Sequence, residues 1–366
     1  MNRLKSNSFA FQRKKPGLII GAVAVVMLLL LVFQISNVIS PMRQPKELSI
    51  KNIEEIGLVQ NPVRPQFIRD GGAGAVVDGK YLWTFGDTLF NPKSVDGVNG
   101  RTATAGYAEL NNPLSVSEPL DINQAPAQFI PLSQNDQAYN NRTKKGDDRY
   151  AIWPGLVVAR PEQNDALVFF LRLKVNPGGG GLNYDLLNTG IARVPNGSTQ
   201  AEVIVPELFK KPEPLYSGPG FTKDGFIYFY ECSSRSERSC SLARVKIEEV
   251  LQRANYAFWD GKSWQSDFTK RAEKYPGTST GTSIGYIPAI NQYVIFYNKP
   301  FSKDMYVSTS QELGNGWSKP KKFYEATANN YALLYHPELT TNNGTSLLLT
   351  YYQPRSGMRA IRLNIN

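Results

Sequence analysis

The 366-residue sequence is poor in the residues that bind metals: it contains one histidine and two cysteines. One imidazole and two thiols fall short of a zinc ligand set, and no calcium-loop spacing occurs, so no metal or other cofactor is expected. The glycine run Gly178–Gly181 continues into Leu182-Asn183 rather than Lys-Ser/Thr and opens no helical pattern. That excludes a phosphate-binding loop. Helical periodicity is scarce, and apart from the N-terminal apolar run, which predicts a single transmembrane helix, Val245 to Arg253 (VKIEEVLQR) is the one segment that predicts a helix. Basic excess is also less than it looks. Of the formal +10 charge, Arg3, Lys5, Arg13, Lys14 and Lys15 precede Pro16, where there is no acid, leaving +5 for the rest. Nucleic-acid binding is therefore not expected.

Charge is absent altogether from Leu18 to Ile39, a run of 22 residues. At about 1.5 Å per residue this spans a bilayer core. The basic flank predicts residues 1–17 as a cytoplasmic tail, 18–39 as an uncleaved transmembrane signal anchor, and the remainder outside the cytoplasm. A cleaved signal peptide is the alternative, but its apolar core is usually about 7–15 residues. Residues 40–60 read as a juxtamembrane linker, and 61–366 as one domain. In that compartment Cys232 and Cys240, flanking the loop SSRSERS, are expected to form a disulfide. The sequons at Asn141, Asn196 and Asn343 matter only in a eukaryotic secretory pathway.

What the chain does have is strands. A turn followed by an apolar or aromatic strand recurs at Asp78-Gly79, Asn164-Asp165, Asp224-Gly225, Asn291-Gln292 and Asn343-Gly344. Spacings of about 50–90 residues suit four-stranded units, and five of them predict an all-β, five-bladed β-propeller. A sandwich is the alternative. Ser310 to Trp317 resembles the Asp-box hairpin of sialidase-type propellers with Glu312 in the acidic position, and FWDGKSW (258–264) is a second tight aromatic hairpin. Both mark the rim of a propeller, not its chemistry.

The first hairpin carries the strongest chemical signal. A two-residue turn at Asp78-Gly79 fixes the register, and Asp70 then lies opposite Asp87. Facing like charges destabilise a hairpin, with Cβ atoms about 4.5–5.5 Å apart. A retaining glycosidase needs two carboxyl groups about 5–5.5 Å apart. The structural alternative makes Asp70 a strand cap and Asp87 a turn residue. The segments preceding the five hairpins would converge at the propeller axis. They bring Arg69, Trp153, Ser217 and Thr282 as substrate contacts, and His336 and Glu338 as supporting or pKa-tuning groups. Glu231, ending the strand FIYFYE, is a third candidate carboxylate that would raise the pKa of the others. Tyr351 is a candidate sugar-stacking ring. The absence of arginines at the strand starts, other than Arg69, argues against a sialidase.

The segments DGGAGAVVDGKYLWTFGDT, SGPGFTKDGFIYFYE, FWDGKSW, NGWSKPKKFY and YHPELTTNNGTSLLLTYY together resemble the domain-of-unknown-function family 4185. Part of that family is classed as glycoside hydrolase family 183, the endo-D-arabinanases. The resemblance covers roughly Asn61 to Asn366, with FGDT after a DG hairpin its most specific piece. It implies retaining hydrolysis of a furanose-rich glycan by Asp70 and Asp87, with no cofactor and with a polysaccharide or oligosaccharide as partner. A non-catalytic glycan-binding or envelope-assembly propeller is the alternative function.

Overall fold

A computed structural model of the chain describes residues 47–91, 93–95, 98–144, 146–178, 183–300 and 302–366. The expected membrane span at 18–39 lies outside the described residues, and no described helix is long and apolar enough to cross a membrane.

Five antiparallel sheets follow one another. Blade I holds β2 (Phe67–Val77), β3 (Lys80–Phe90) and β4 (Gly100–Glu109). Blade II holds β5 (Arg149–Arg160), β6 (Asp165–Val175), β7 (Tyr184–Pro195) and β8 (Glu202–Lys210). Blade III runs β9 (Gly220–Lys223), β10 (Phe226–Cys232), β11 (Cys240–Lys246), β12 (Ala257–Trp259) and β13 (Trp264–Gln265). Blade IV comprises β14 (Thr282–Ile287), β15 (Gln292–Asn298), β16 (Asp304–Ser310) and β17 (Lys321–Glu325). Blade V comprises β18 (Tyr331–Thr341), β19 (Ser346–Gln353) and β20 (Gly357–Ile365), with β1 (Ile50–Leu58) as its outermost strand.

The hydrophobic core is shared out between neighbouring blades. Ala75, Leu82 and Ala105 of blade I pack with Val168 and Phe170 of blade II. Phe169 and Ile191 of blade II meet Phe229 and Ala243 of blade III, and Tyr230 and Leu242 of blade III meet Ile295 and Tyr297 of blade IV. Val294 and Phe296 of blade IV pack with Leu347 and Leu349 of blade V, whose Leu348 and Met358 pack with Trp83 and Phe85 of blade I. Five interfaces close a ring, the expected all-β, five-bladed propeller.

The N-terminal boundary differs from the sequence reading. Residues 50–58, expected within the linker, pair antiparallel with β20 from Ile50↔Ile365 to Leu58↔Arg359, with two irregularities of register. The segment IKNIEEIGL spaces its isoleucines by three rather than two, which disguised the strand. The segment Val245–Arg253 is not an α-helix either. It finishes β11 and continues in short 3-10 turns at Ile247–Glu249 and Arg253–Asn255. An α-helix instead spans Gln134–Asn140 (α1), capped by the Ser133 hydroxyl accepting from the Asp136 amide. The expected Cys232–Cys240 disulfide is formed, between directly paired residues of β10 and β11.

All five repeated turns contain an Asn or Asp in the left-handed region, at Asp78, Asn164, Asp224, Asn291 and Asn343. They lie on one face of the ring, since each joins the end of an innermost strand to its return partner. The rim hairpins also pack together, because the Trp259 indole donates to the Gly314 carbonyl at 3.1 Å.

Candidate active site

The five innermost strands, β2, β5, β9, β14 and β18, line a single axial funnel of about 1850 Å³. Glycines on or just before them reflect crowding where strands converge: a Cβ on Gly155 would collide with the Ser217 carbonyl, and one on Gly218 with the Leu156 amide. The sequence GTSIG at 281–285 has serine-hydrolase spacing but lies in β14, with the Ser283 hydroxyl accepting the Tyr335 amide. It forms no strand–turn–helix elbow.

Asp70 and Asp87 are direct cross-strand partners, and the register stays constant from Val77↔Lys80 to Phe67↔Phe90. Both line the funnel at its mouth, opposite the Asp78-Gly79 turn. Asp70 accepts a hydrogen bond from the Tyr331 hydroxyl at 2.5 Å. Burial drives the Asp70 pKa up to about 7, and the neighbouring Asp87 charge adds to the rise, against the Tyr331 hydrogen bond. Burial raises Asp87 too, opposed by a hydrogen bond from Trp153 and by the positive charge of Arg149. One carboxyl therefore holds a proton near neutrality while its neighbour has two groups favouring its charged form.

Aromatic rings flank the pair. Trp153, on β5, packs edge-on to Tyr184 with ring centroids 4.8 Å apart. On the other side Tyr331 and Tyr352 lie 4.8 Å apart. Tyr184, Tyr331 and Tyr352 were not singled out from sequence. Tyr331 is visible only if β18 is started five residues earlier than at His336.

Other candidates fall elsewhere. Arg69 is 1% exposed, points away from the funnel, and forms a buried ion pair with Glu118 at 2.5 Å. Strand alternation places it opposite in facing to Asp70. Tyr351 is fully buried in the core between blades IV and V, so its neighbour Tyr352 provides the funnel ring. His336 is 2% exposed with both ring nitrogens engaged, Nδ1 to the Tyr81 hydroxyl at 2.9 Å and Nε2 to the Thr350 hydroxyl at 2.7 Å. Burial holds its pKa down to about 3, so it is a neutral packing group at physiological pH. Glu338 accepts the Val76 amide, and Val76 is six residues along β2 from Asp70, roughly 20 Å at strand rise. The two residues thus sit towards the opposite end of the channel from the aspartates.

Ser217 and Thr282 line the funnel at its mouth and are largely buried, Ser217 held through its backbone and Thr282 through its hydroxyl. The Ser217 carbonyl accepts the Leu156 amide at 2.7 Å, and the Thr282 hydroxyl donates to the Thr278 carbonyl at 2.8 Å. Glu231 lines the funnel from blade III, and burial alone pushes it up to about 8. It is not among the groups that shift Asp70 or Asp87, so it does not tune them. Among the described residues no cluster of His, Cys, Asp and Glu suits a metal ion.

Residues 197–355 match the model of a domain of unknown function, DUF4185. No curated protein matches the sequence. Among solved structures, the chain resembles a "putative hydrolase" of Bacteroides ovatus with TM-score 0.59 and 14% identity, over 81% of this chain and 85% of that one. It also resembles an exo-β-1,3-galactanase of Phanerochaete chrysosporium, solved with β-1,3-galactotriose, with TM-score 0.53 and 11% identity over 86% and 67% of the two chains. At such identities the likeness is one of fold.

Proposed function

We propose that the chain is a glycoside hydrolase acting with retention on a furanose-rich, arabinan-type glycan. The observation that carries this reading is the Asp70–Asp87 pair facing across one hairpin at the funnel mouth. The galactanase neighbour supports a carbohydrate substrate, and the DUF4185 match with its arabinanase-containing resemblance supports a furanose.

In the first step the Asp87 carboxylate attacks the anomeric carbon while Asp70 gives its proton to the departing glycosidic oxygen. A glycosyl ester on Asp87 and a free sugar hydroxyl result. Asp70, now ionised, takes a proton from water as that water attacks the anomeric carbon. Sugar leaves with its original anomeric configuration, and both carboxyl groups return to their starting states. Trp153 and Tyr184 on one side, and Tyr331 and Tyr352 on the other, offer ring faces to sugars. We further propose that residues 18–39 anchor the enzyme in the cell membrane with the propeller outside the cytoplasm, where a disulfide is stable.

The test is to incubate the protein with arabinan and follow released oligosaccharides. Asp70→Asn and Asp87→Asn should each lower kcat at least a hundredfold. Azide added to Asp87→Gly should yield a glycosyl azide of inverted configuration. Undiminished turnover by Asp87→Asn would refute the pair. A protein that binds arabinan without cleaving it would be the glycan-binding alternative.

A further inference from the structure

Glu231 is a funnel carboxyl that the hydrolytic steps leave unused. Unlike Glu338 and Asp147, which also line the funnel and accept the Val76 and Lys144 amides, it holds no backbone amide among the described residues. It closes β10, the second strand of blade III, whereas the aspartates belong to blade I. In a five-membered ring blade III stands across the opening from blade I. Glu231 lines the funnel, and among the described residues no neighbouring charge or hydrogen bond offsets the burial that raises its proton affinity. An isolated carboxyl in a partly buried place weakens the fold, so a merely structural position would favour an apolar side chain.

The wall between the two carboxyl sites is aromatic. Trp153 of blade II hydrogen-bonds Asp87, and Tyr184 packs edge-on against Trp153. Arg235, on the loop following β10, lies close enough to Tyr184 to influence its ionisation. The order Asp87, Trp153, Tyr184, Arg235 leads around the mouth from blade I to blade III. Cys232, adjacent to Glu231, is bonded to Cys240 and so fixes the end of β10.

We infer that Glu231 is a specificity residue of the proposed hydrolase, hydrogen-bonding a hydroxyl of a sugar unit remote from the cleaved bond. The preferred substrate is then an oligosaccharide long enough to cross the funnel along the Trp153–Tyr184 ledge. This inference rests on the glycosidase reading.

The experiment measures kcat and KM of the full chain on arabinan fragments of two and six sugar units. Glu231→Ala should raise KM for the six-unit fragment roughly tenfold, the worth of one hydrogen bond, with a smaller rise for the two-unit fragment. Its kcat should change less than twofold. Glu231→Gln, which keeps a donor and an acceptor, should restore KM to within about threefold of wild type. Neither variant should melt below wild type, since no partner is lost.

An unchanged KM in Glu231→Ala would overturn the inference while leaving the hydrolase intact. A hundredfold loss of kcat in Glu231→Gln would also overturn it, by making Glu231 a catalytic acid. If wild type cleaves neither fragment, the arabinan reading fails and the inference falls with it.

Discussion

At the scale of single residues, the working proton is the first quantity to check. Asp70 binds its proton up to about pH 7, well above the usual 3.8, because burial disfavours the anion. Its role as acid needs that proton, so kcat/KM should fall as pH rises through about 7. The Tyr331 hydroxyl stabilises the ionised form and lowers this value. Tyr331→Phe should therefore move the alkaline limb to higher pH, which a pH–rate profile reads directly; a shift downward would contradict the assigned geometry. The same group makes the fold sensitive to pH. Between about pH 4 and 7 the folded chain holds a proton that the unfolded chain has released, so stability falls as pH rises across that window. Asp70→Asn removes this penalty. It should melt roughly 2 °C higher than wild type at pH 7 while losing activity, as calorimetry beside the arabinan assay would show.

The pair itself was legible in the sequence because a two-residue turn converts positions 70 and 87 into neighbours by arithmetic alone. What lay around it was not. Arg69 and Tyr351 were misplaced by one residue's worth of strand alternation, which turns a side chain from the funnel into the core. His336 drew notice through its rarity, yet Tyr81 and Thr350, far apart in the sequence, occupy it. Such long-range partners leave no local pattern to read.

At the scale of elements, the five innermost hairpins were legible because each carries a turn residue that tolerates positive φ, and an apolar return strand such as Ser346–Gln353 buried along its whole length. Outer strands are shorter and wetter, and they misled. The strand β1 packs Ile50 and Ile53 against the core between blades IV and V, and the Glu55 carboxylate accepts from the Tyr324 hydroxyl and from Arg359. A chain beginning at Asn61 lacks this strand and exposes the edge of β20. It should melt at least 5 °C below a chain beginning at Glu47, with loss of soluble yield. A single Ile53→Asp change should destabilise by about 2–4 kcal/mol, measurable by urea unfolding. Equal stability of the two chains would mean that blade V closes without β1.

At the scale of the molecule, ring closure explains why residues from every part of the sequence meet in one place. The blade count follows from the spacing of the turns, but the depth of the funnel does not. Positions near the starts of the innermost strands were expected to share one level. Tyr331 stands at the level of Asp70, whereas Glu338 is level with Val76. The offset arises because β18 starts five residues before His336, and only pairing along the strand reveals it.

The pairing of β1 with β20 has one more outcome. Ile50 sits beside Ile365, and the Asn366 amide donates to the Ser49 carbonyl, on the side of the ring where the Asp78-Gly79 turn also lies. The described chain thus enters and leaves the ring at its rear, with the acidic port in front. A bead or fused protein joined at Glu47 or Asn366 would grip the ring from behind and leave that port open to long polymers.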